Sequence, residues 1–234
     1  MGHKKLIRFQ AIKSFPNVLE SPPGMKGKWK EFFKNNNSII LELACGKGEY
    51  AVGLARLFPN KNFIGVDIKG NRIFIGAKKC LDEGLNNSAF LRTQIDKIAD
   101  YFAPCEVEEI WLTFPDPQLR KSKAKKRLTH PKFLRLYQQF LTPGASIHLK
   151  TDSPVLYHFT KMVIELFGLI SVKDIDNVYA QGETEEVLKI KTHYEGLDIA
   201  QSNQIFYLQF KLPAMIPDKD AELKQKLFDE EQID

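Results

Sequence analysis

The 234-residue chain is poor in cysteine, in long apolar runs and, outside one short segment, in excess positive charge. Its three cysteines, Cys45, Cys80 and Cys105, include no C-x-x-C pair. That spacing speaks against a structural zinc framework, so no metal is expected, and an odd, sparse set suits a reducing compartment. No run of 18 apolar residues exists, so no membrane span is expected. Lys4, Lys5 and Arg8 are not joined to an apolar segment, so no signal peptide is expected. Leu6 stands where a myristoylated Gly2 would want Ser or Thr. Together these absences predict a cytoplasmic protein, and they leave a monomer or a homodimer open.

The excess charge is local. The formal net charge is +5, and without the six cations Arg120, Lys121, Lys123, Lys125, Lys126 and Arg127 it would be −1. Basic character gathered into one segment is the pattern of a nucleic-acid footprint rather than of a uniformly basic surface. The run closes the stretch Glu109–Arg127, EIWLTFPDPQLRKSKAKKR, which opens as a strand through Ile110, Trp111, Leu112 and Phe114. Pro115-Asp116-Pro117 ends it, because two prolines one residue apart continue neither a helix nor a ladder. A buried strand thus delivers one carboxylate, Asp116, beside a polyanion clamp. The plain alternative is a proline turn followed by a solvated charge run.

Residues 1–37 read as an extended, partly ordered arm that ends in a short helix near Trp29–Phe33. Residues 38–212 read as one domain, and 213–234 as an acidic tail forming a surface helix. Strands are predicted at 38–43, 62–67, 89–91, 109–114, 145–150 and 204–212, with a further strand and a polar loop in 169–190. Helices fall between them, at 50–57, around 73–81, 95–102, 131–141 and 154–166. This alternation predicts an α/β fold with a doubly wound, mostly parallel, seven-stranded sheet. Ligands in such sheets bind at the carboxyl ends of the strands. Glu42 to Gly48, Asp67, Gln94, Asp116 and Asp152 lie at five such ends and can converge on one crevice.

Gly46-Lys-Gly48-Glu-Tyr-Ala51 fits G-x-G-x-x-G/A, with Asp67 where a nucleoside-binding fold keeps its ribose acid. A nicotinamide dinucleotide and S-adenosylmethionine (SAM) both use such a loop. Charge separates them: Glu42 and Glu49 flank the loop, and carboxylates repel a pyrophosphate but attract a sulfonium and an amino group. The plain alternatives are a ligand-free turn at Gly46 and Gly48, a capping acid at Asp67, and an N-cap at Asp152.

Six segments carry a resemblance: KGKWKEFF (26–33), LELACGKGE (41–49), FIGVDIK (63–69), LTFPDPQLRKSKAKKRLTHPKFL (112–134), SIHLKTD (146–152) and THYE (192–195). With them the chain resembles the bacterial tRNA (guanine-N7)-methyltransferases, class I SAM-dependent enzymes with a Rossmann-like fold. The resemblance implies methyl transfer from SAM to N7 of a guanosine in the tRNA variable loop. It implies SAM contacts at Glu42, Asp67, Gln94 and Asp116, beside the loop glycines Gly46 and Gly48. It implies catalysis at Asp116 and substrate binding at Arg120, Asp152, Thr192 and Glu195. Lys121, Lys123, Lys125, Lys126 and Arg127 would follow the RNA backbone. The chain departs from the family pattern at Ala44 for the first loop glycine, Gln118 for a tryptophan, Arg120 for a lysine, and a neutral Gln94. Two other classes remain to be weighed: an NAD-dependent oxidoreductase and a non-catalytic RNA-binding protein on the same fold.

Overall fold

A computed structural model describes residues 2–180, 182, 184–197 and 204–229. The strands are β1 (Val18–Glu20), β2 (Ile39–Leu43), β3 (Asn62–Asp67), β4 (Ser88–Arg92), β5 (Val107–Thr113), β6 (Leu141–Thr151), β7 (Ile170–Ile175) and β8 (Phe206–Lys211). The helices are α1 (Gly2–Ala11), α2 (Trp29–Phe33), α3 (Glu49–Leu57), α4 (Gly70–Asp82), α5 (Pro131–Tyr137), α6 (Pro154–Leu166) and α7 (Asp220–Asp229). Among the described residues no helix is long and apolar enough to cross a membrane.

The sheet has the order β1-β4-β3-β2-β5-β6-β8-β7. β1 to β6 pair in parallel, and β8 runs antiparallel to both β6 and β7. Every residue of β2 and β3 is buried, as a strand covered by helices on both faces requires. The chain lays down β2, β3 and β4 in one direction and then returns to place β5 and β6 on the other side of β2. The reversal between β2 and β5 opens a crevice at their carboxyl ends. The β2 end leads into the glycine loop, and the β5 end leads into Pro115-Asp116-Pro117.

The sheet has eight strands where seven were expected, and the added one comes from the presumed arm. Val18, Leu19 and Glu20 pair with Phe90, Leu91 and Arg92. The segment before them is helical, not extended. Ile12 is fully buried, Phe15 stacks on Phe74 at 5.5 Å, and the Asn17 side-chain amide donates to the Ala77 carbonyl at 3.0 Å. A three-residue strand between Pro16 and Ser21 is too short to show a period, so only its tertiary pairing reveals it. The tail helix α7 is tied down by Arg135, which ion-pairs with Asp220 at 2.8 Å, and by the buried Leu223. Residues 230–234 of the expected tail lie outside the described residues.

Candidate active site

The glycine loop turns on three left-handed residues, Ala44 (φ +56°), Gly46 (φ +57°) and Gly48 (φ +70°). At Gly48 a Cβ would stand 2.4 Å from the Phe90 ring, so only glycine lets α3 start this close to the sheet. At Gly46 the nearest atom to a Cβ would be the Tyr194 ring at 4.0 Å, across open space. Asp67 closes the loop from β3. One carboxylate oxygen accepts from the Gly46 amide at 2.9 Å and the other from the Lys69 amide at 2.7 Å. A carboxylate has about four acceptor sites, so Asp67 keeps capacity for hydroxyl donors.

Beside the loop lies a cavity of about 460 Å³, within the range of small-molecule sites. Gly46, Asp67, Asp116, Asp152 and Thr192, all expected from the sequence, share its walls. Its charged lining is four carboxylates, from Glu49, Asp67, Asp116 and Asp152, against two cations, Lys69 and Arg72. Such a lining attracts a ligand bearing a sulfonium and an ammonium and disfavours a pyrophosphate. Asp116 sits exposed on the proline turn, with Oδ1 accepting from the Gln118 amide at 3.0 Å. Phe114 (φ +48°) and Gln118 (φ +47°) bracket it in left-handed backbone. Strain of this kind persists where the surrounding structure enforces it, and it collects at functional sites.

Five expected residues are placed elsewhere. Glu42 is buried beneath the loop, where it accepts from the Ala51 amide at 2.8 Å and the Thr113 hydroxyl at 2.8 Å. Burial pushes its carboxyl up to about 8, so near neutral pH it holds a proton and supplies no full charge to a sulfonium. Gly48 packs on Phe90 rather than lining the cavity. Gln94 is exposed at the head of the 3₁₀ turn 95–100 and is not among the residues that line the cavity. Arg120 is exposed just beyond the lining residue Leu119.

Glu195 is the fifth. Thr192 and Glu195 form a reciprocal pair: the Glu195 amide donates to the Thr192 hydroxyl at 3.1 Å, and the Thr192 amide donates to the Glu195 carboxylate at 3.3 Å. This is a capping box, and T-x-x-E is its sequence signature. The Glu195 carboxylate also accepts from Lys150 Nζ at 3.0 Å and from the Tyr179 hydroxyl. Its side chain is 5% exposed and that of Lys150 0%. Glu195 is thus spent inside the protein, holding the loop that presents Thr192 and Tyr194. Lys150 further donates to the Leu188 and Ile190 carbonyls.

The basic run also divides. Arg127 is 1% exposed, donates to the Pro117 and Gln118 carbonyls at 3.0 and 3.1 Å, and lies over the Phe159 ring. It braces the proline turn with its guanidinium directed inward, where the sequence suggested a backbone contact. The Lys121 ammonium is turned inward as well, with its nitrogen buried. Arg120, Lys123, Lys125 and Lys126 remain exposed. Lining residues missed in the sequence include Tyr194, Lys69 and Arg72, with the Arg72 guanidinium 5.4 Å from the Tyr194 ring centre. Tyr194 sits inside the T-x-x-E segment, which was the available signal.

Residues 36–208 match the family model described as "Putative methyltransferase". The chain is 48% identical over 222 residues to a tRNA (guanine-N(7)-)-methyltransferase of Bacteroides fragilis (strain YCH46), covering 91% of this chain and 87% of that protein. It is 47% identical over 213 residues to one from Porphyromonas gingivalis (strain ATCC BAA-308 / W83), covering 86% of each. The chain belongs to the tRNA (guanine-N(7)-)-methyltransferase family. Solved structures of two other methyltransferases share its fold: the 16S rRNA methyltransferase KamB (TM-score 0.59, 16% identity, 80% of this chain and 93% of that one) and the aminoglycoside resistance methyltransferase NpmB1 (TM-score 0.56, 17% identity, 80% and 92%). In this tRNA (guanine-N(7)-)-methyltransferase family member, the departures at Ala44 and Gln118 both fall on left-handed backbone, where a side chain costs energy.

Two predictions follow from the buried acids. Because the Glu42 carboxyl titrates near 8 when folded and near 4.5 when unfolded, folding retains a proton that the unfolded chain releases. Stability should therefore fall as pH rises from about 5 to 8. Glu42→Gln, whose amide can still accept from Ala51 and donate to Thr113, should lose that component. The stability gap between variant and wild type, read by denaturant unfolding, should shift in favour of the variant across this window; a constant gap would contradict it. Lys150→Met leaves a buried carboxylate unpaired and should cost about 3–5 kcal/mol, with part recovered in Lys150→Met/Glu195→Met. An undiminished unfolding midpoint in the single variant would contradict the buried pair.

Proposed function

We propose that this protein, as a cytoplasmic enzyme, transfers the methyl group of SAM to N7 of a guanosine in the tRNA variable loop. The observation that carries the reading is the exposed Asp116, fixed on strained backbone in a carboxylate-rich cavity beside a basic turn. The cofactor fits the residues present: Gly46 allows close approach, Asp67 retains acceptor capacity for ribose hydroxyls, and the lining favours a cation. When bound, SAM supplies a methyl group on a sulfonium.

Guanine N7 carries an in-plane lone pair and no proton, so the chain need not provide a general base. What it must provide is orientation, and negative potential where the purine becomes cationic. Asp116 serves both ends. Oδ1 takes the Gln118 amide, which fixes the carboxylate, and its remaining acceptor sites can take the N–H edge of guanine. Asp152 and Thr192 face the same space from two other segments and can hold the nucleotide. The base must leave its stack to enter, at a cost of a few kcal/mol that is smallest in irregular RNA. Arg120, Lys123, Lys125 and Lys126, exposed on the turn beyond Asp116, take backbone phosphates in this reading. A nicotinamide dinucleotide would set its pyrophosphate against Glu49 and Asp67, so the oxidoreductase reading is disfavoured.

Asp116→Ala should nearly abolish methylation of tRNA while leaving the unfolding transition in place. Turnover within about threefold of wild type, a loss under ~0.7 kcal/mol, would remove Asp116 from the chemistry. Replacing Lys123, Lys125 and Lys126 together by Gln should raise the tRNA KM and leave the saturated rate nearly unchanged. The log–log salt slope of tRNA binding should drop by roughly two, about 0.7 per single-strand phosphate contact. Parallel slopes for variant and wild type would show that the turn does not touch RNA.

A further inference from the structure

The four exposed cations around the 3₁₀ turn are too small a surface for a folded RNA. Specific nucleic-acid interfaces bury on the order of 1,000–2,500 Å² of protein. Here Ala124 and Arg127 are buried and the Lys121 ammonium points inward. An extruded nucleotide also needs its strand held on both flanks, since the backbone leaves the site in two directions. The turn leaves the cavity past Leu119 and can hold one flank. A second anionic flank needs a basic surface at another wall.

Such a surface exists. A groove of about 570 Å³ runs between α3, α4 and the segment 186–191. It presents Lys47, Arg56, Lys79, Lys189 and Lys191 against Glu49 and Glu186. Glu49 lines both the groove and the cavity, so the two adjoin at that residue. Lys47 lies between Gly46 and Gly48 of the loop, and Lys191 immediately precedes the cavity residue Thr192. Arg56 is engaged by Glu83 and Lys189 by Glu186. Among the described residues Lys47, Lys79 and Lys191 have no ion-pair partner, so their charges are not neutralised within the groove. The groove floor is fixed by close packing: a Cβ at Gly53 would meet Ile190 at 2.9 Å, and one at Gly76 the Lys47 carbonyl at 2.5 Å. The lysines therefore stand on a rigid frame.

We propose that this groove is a second RNA-backbone site, which takes the strand on the flank of the reacting nucleotide opposite to the one held by the 3₁₀ turn. The proposal rests on the reading of tRNA as substrate. Its contacts are to phosphates, so they add affinity and position without sequence choice.

The test is tRNA binding across about 50 to 200 mM salt for wild type, for Lys79→Gln/Lys189→Gln/Lys191→Gln, and for a control of equal charge loss, Lys34→Gln/Lys224→Gln/Lys226→Gln. Methyl transfer is measured alongside. The groove variant should lose roughly two units of log–log slope, at about 0.7 per contact, and show a raised tRNA KM with SAM affinity unchanged. The control should keep the wild-type slope. Equal slopes for groove variant and control would overturn the groove while leaving the substrate reading intact. A wild-type protein that neither binds tRNA in a salt-dependent way nor methylates it would overturn the substrate reading itself, and the groove with it.

Discussion

Two walls of the cavity hang from one buried ammonium-bearing residue. The Lys150 backbone carbonyl accepts the Phe114 amide at 2.8 Å, which starts the proline turn that carries Asp116. Its side chain reaches the other way and holds Leu188, Ile190 and Glu195, which set the segment bearing Thr192 and Tyr194. Two positions further along β6 and its exit comes Asp152. An isolated charge would not be tolerated here, because burial opposes the protonated amine and pulls its pKa down. Glu195 compensates, and so the pair ties tertiary structure to the geometry of the site. A buried pair is weak evidence for stability, but removing one partner is costly because the other charge is left buried.

The same economy separates the acids of the site. Glu42, one residue before the end of β2, and Asp67, the last residue of β3, both stand beside the glycine loop. Glu42 is capped from above by α3 and Thr113, so burial keeps it protonated and structural. Asp67 is turned towards the cavity and spends only part of its acceptor capacity on the loop. The negative potential of the cavity therefore comes from the lining carboxylates Asp67, Glu49, Asp116 and Asp152 rather than from Glu42.

The central sheet was legible because fully buried parallel strands read as apolar runs broken by glycine or proline. Asp116 was legible because two prolines force a strand end, and Asp67 because an acid closes β3. The first strand was not legible, since three residues carry no period and pair only through tertiary contact. Glu195 and Arg127 were read as ligand contacts because sequence shows charge but not direction. Both point inward, one to Lys150 and one to the carbonyls of Pro117 and Gln118. T-x-x-E is also the signature of a capping box, and Thr192 and Glu195 form one. The groove at Lys79 and Lys191 had no signal at all, because its lysines come from segments more than a hundred residues apart.

Methyl transfer to guanine N7 removes no proton, so the proposed reaction leaves a single diagnostic product. Incubation with methyl-labelled SAM and unmodified tRNA, followed by nucleoside digestion and separation, tests that most directly. The label should appear in 7-methylguanosine, from one site in the variable loop. Label on a different base or atom, or none in the presence of folded protein and intact tRNA, would contradict it.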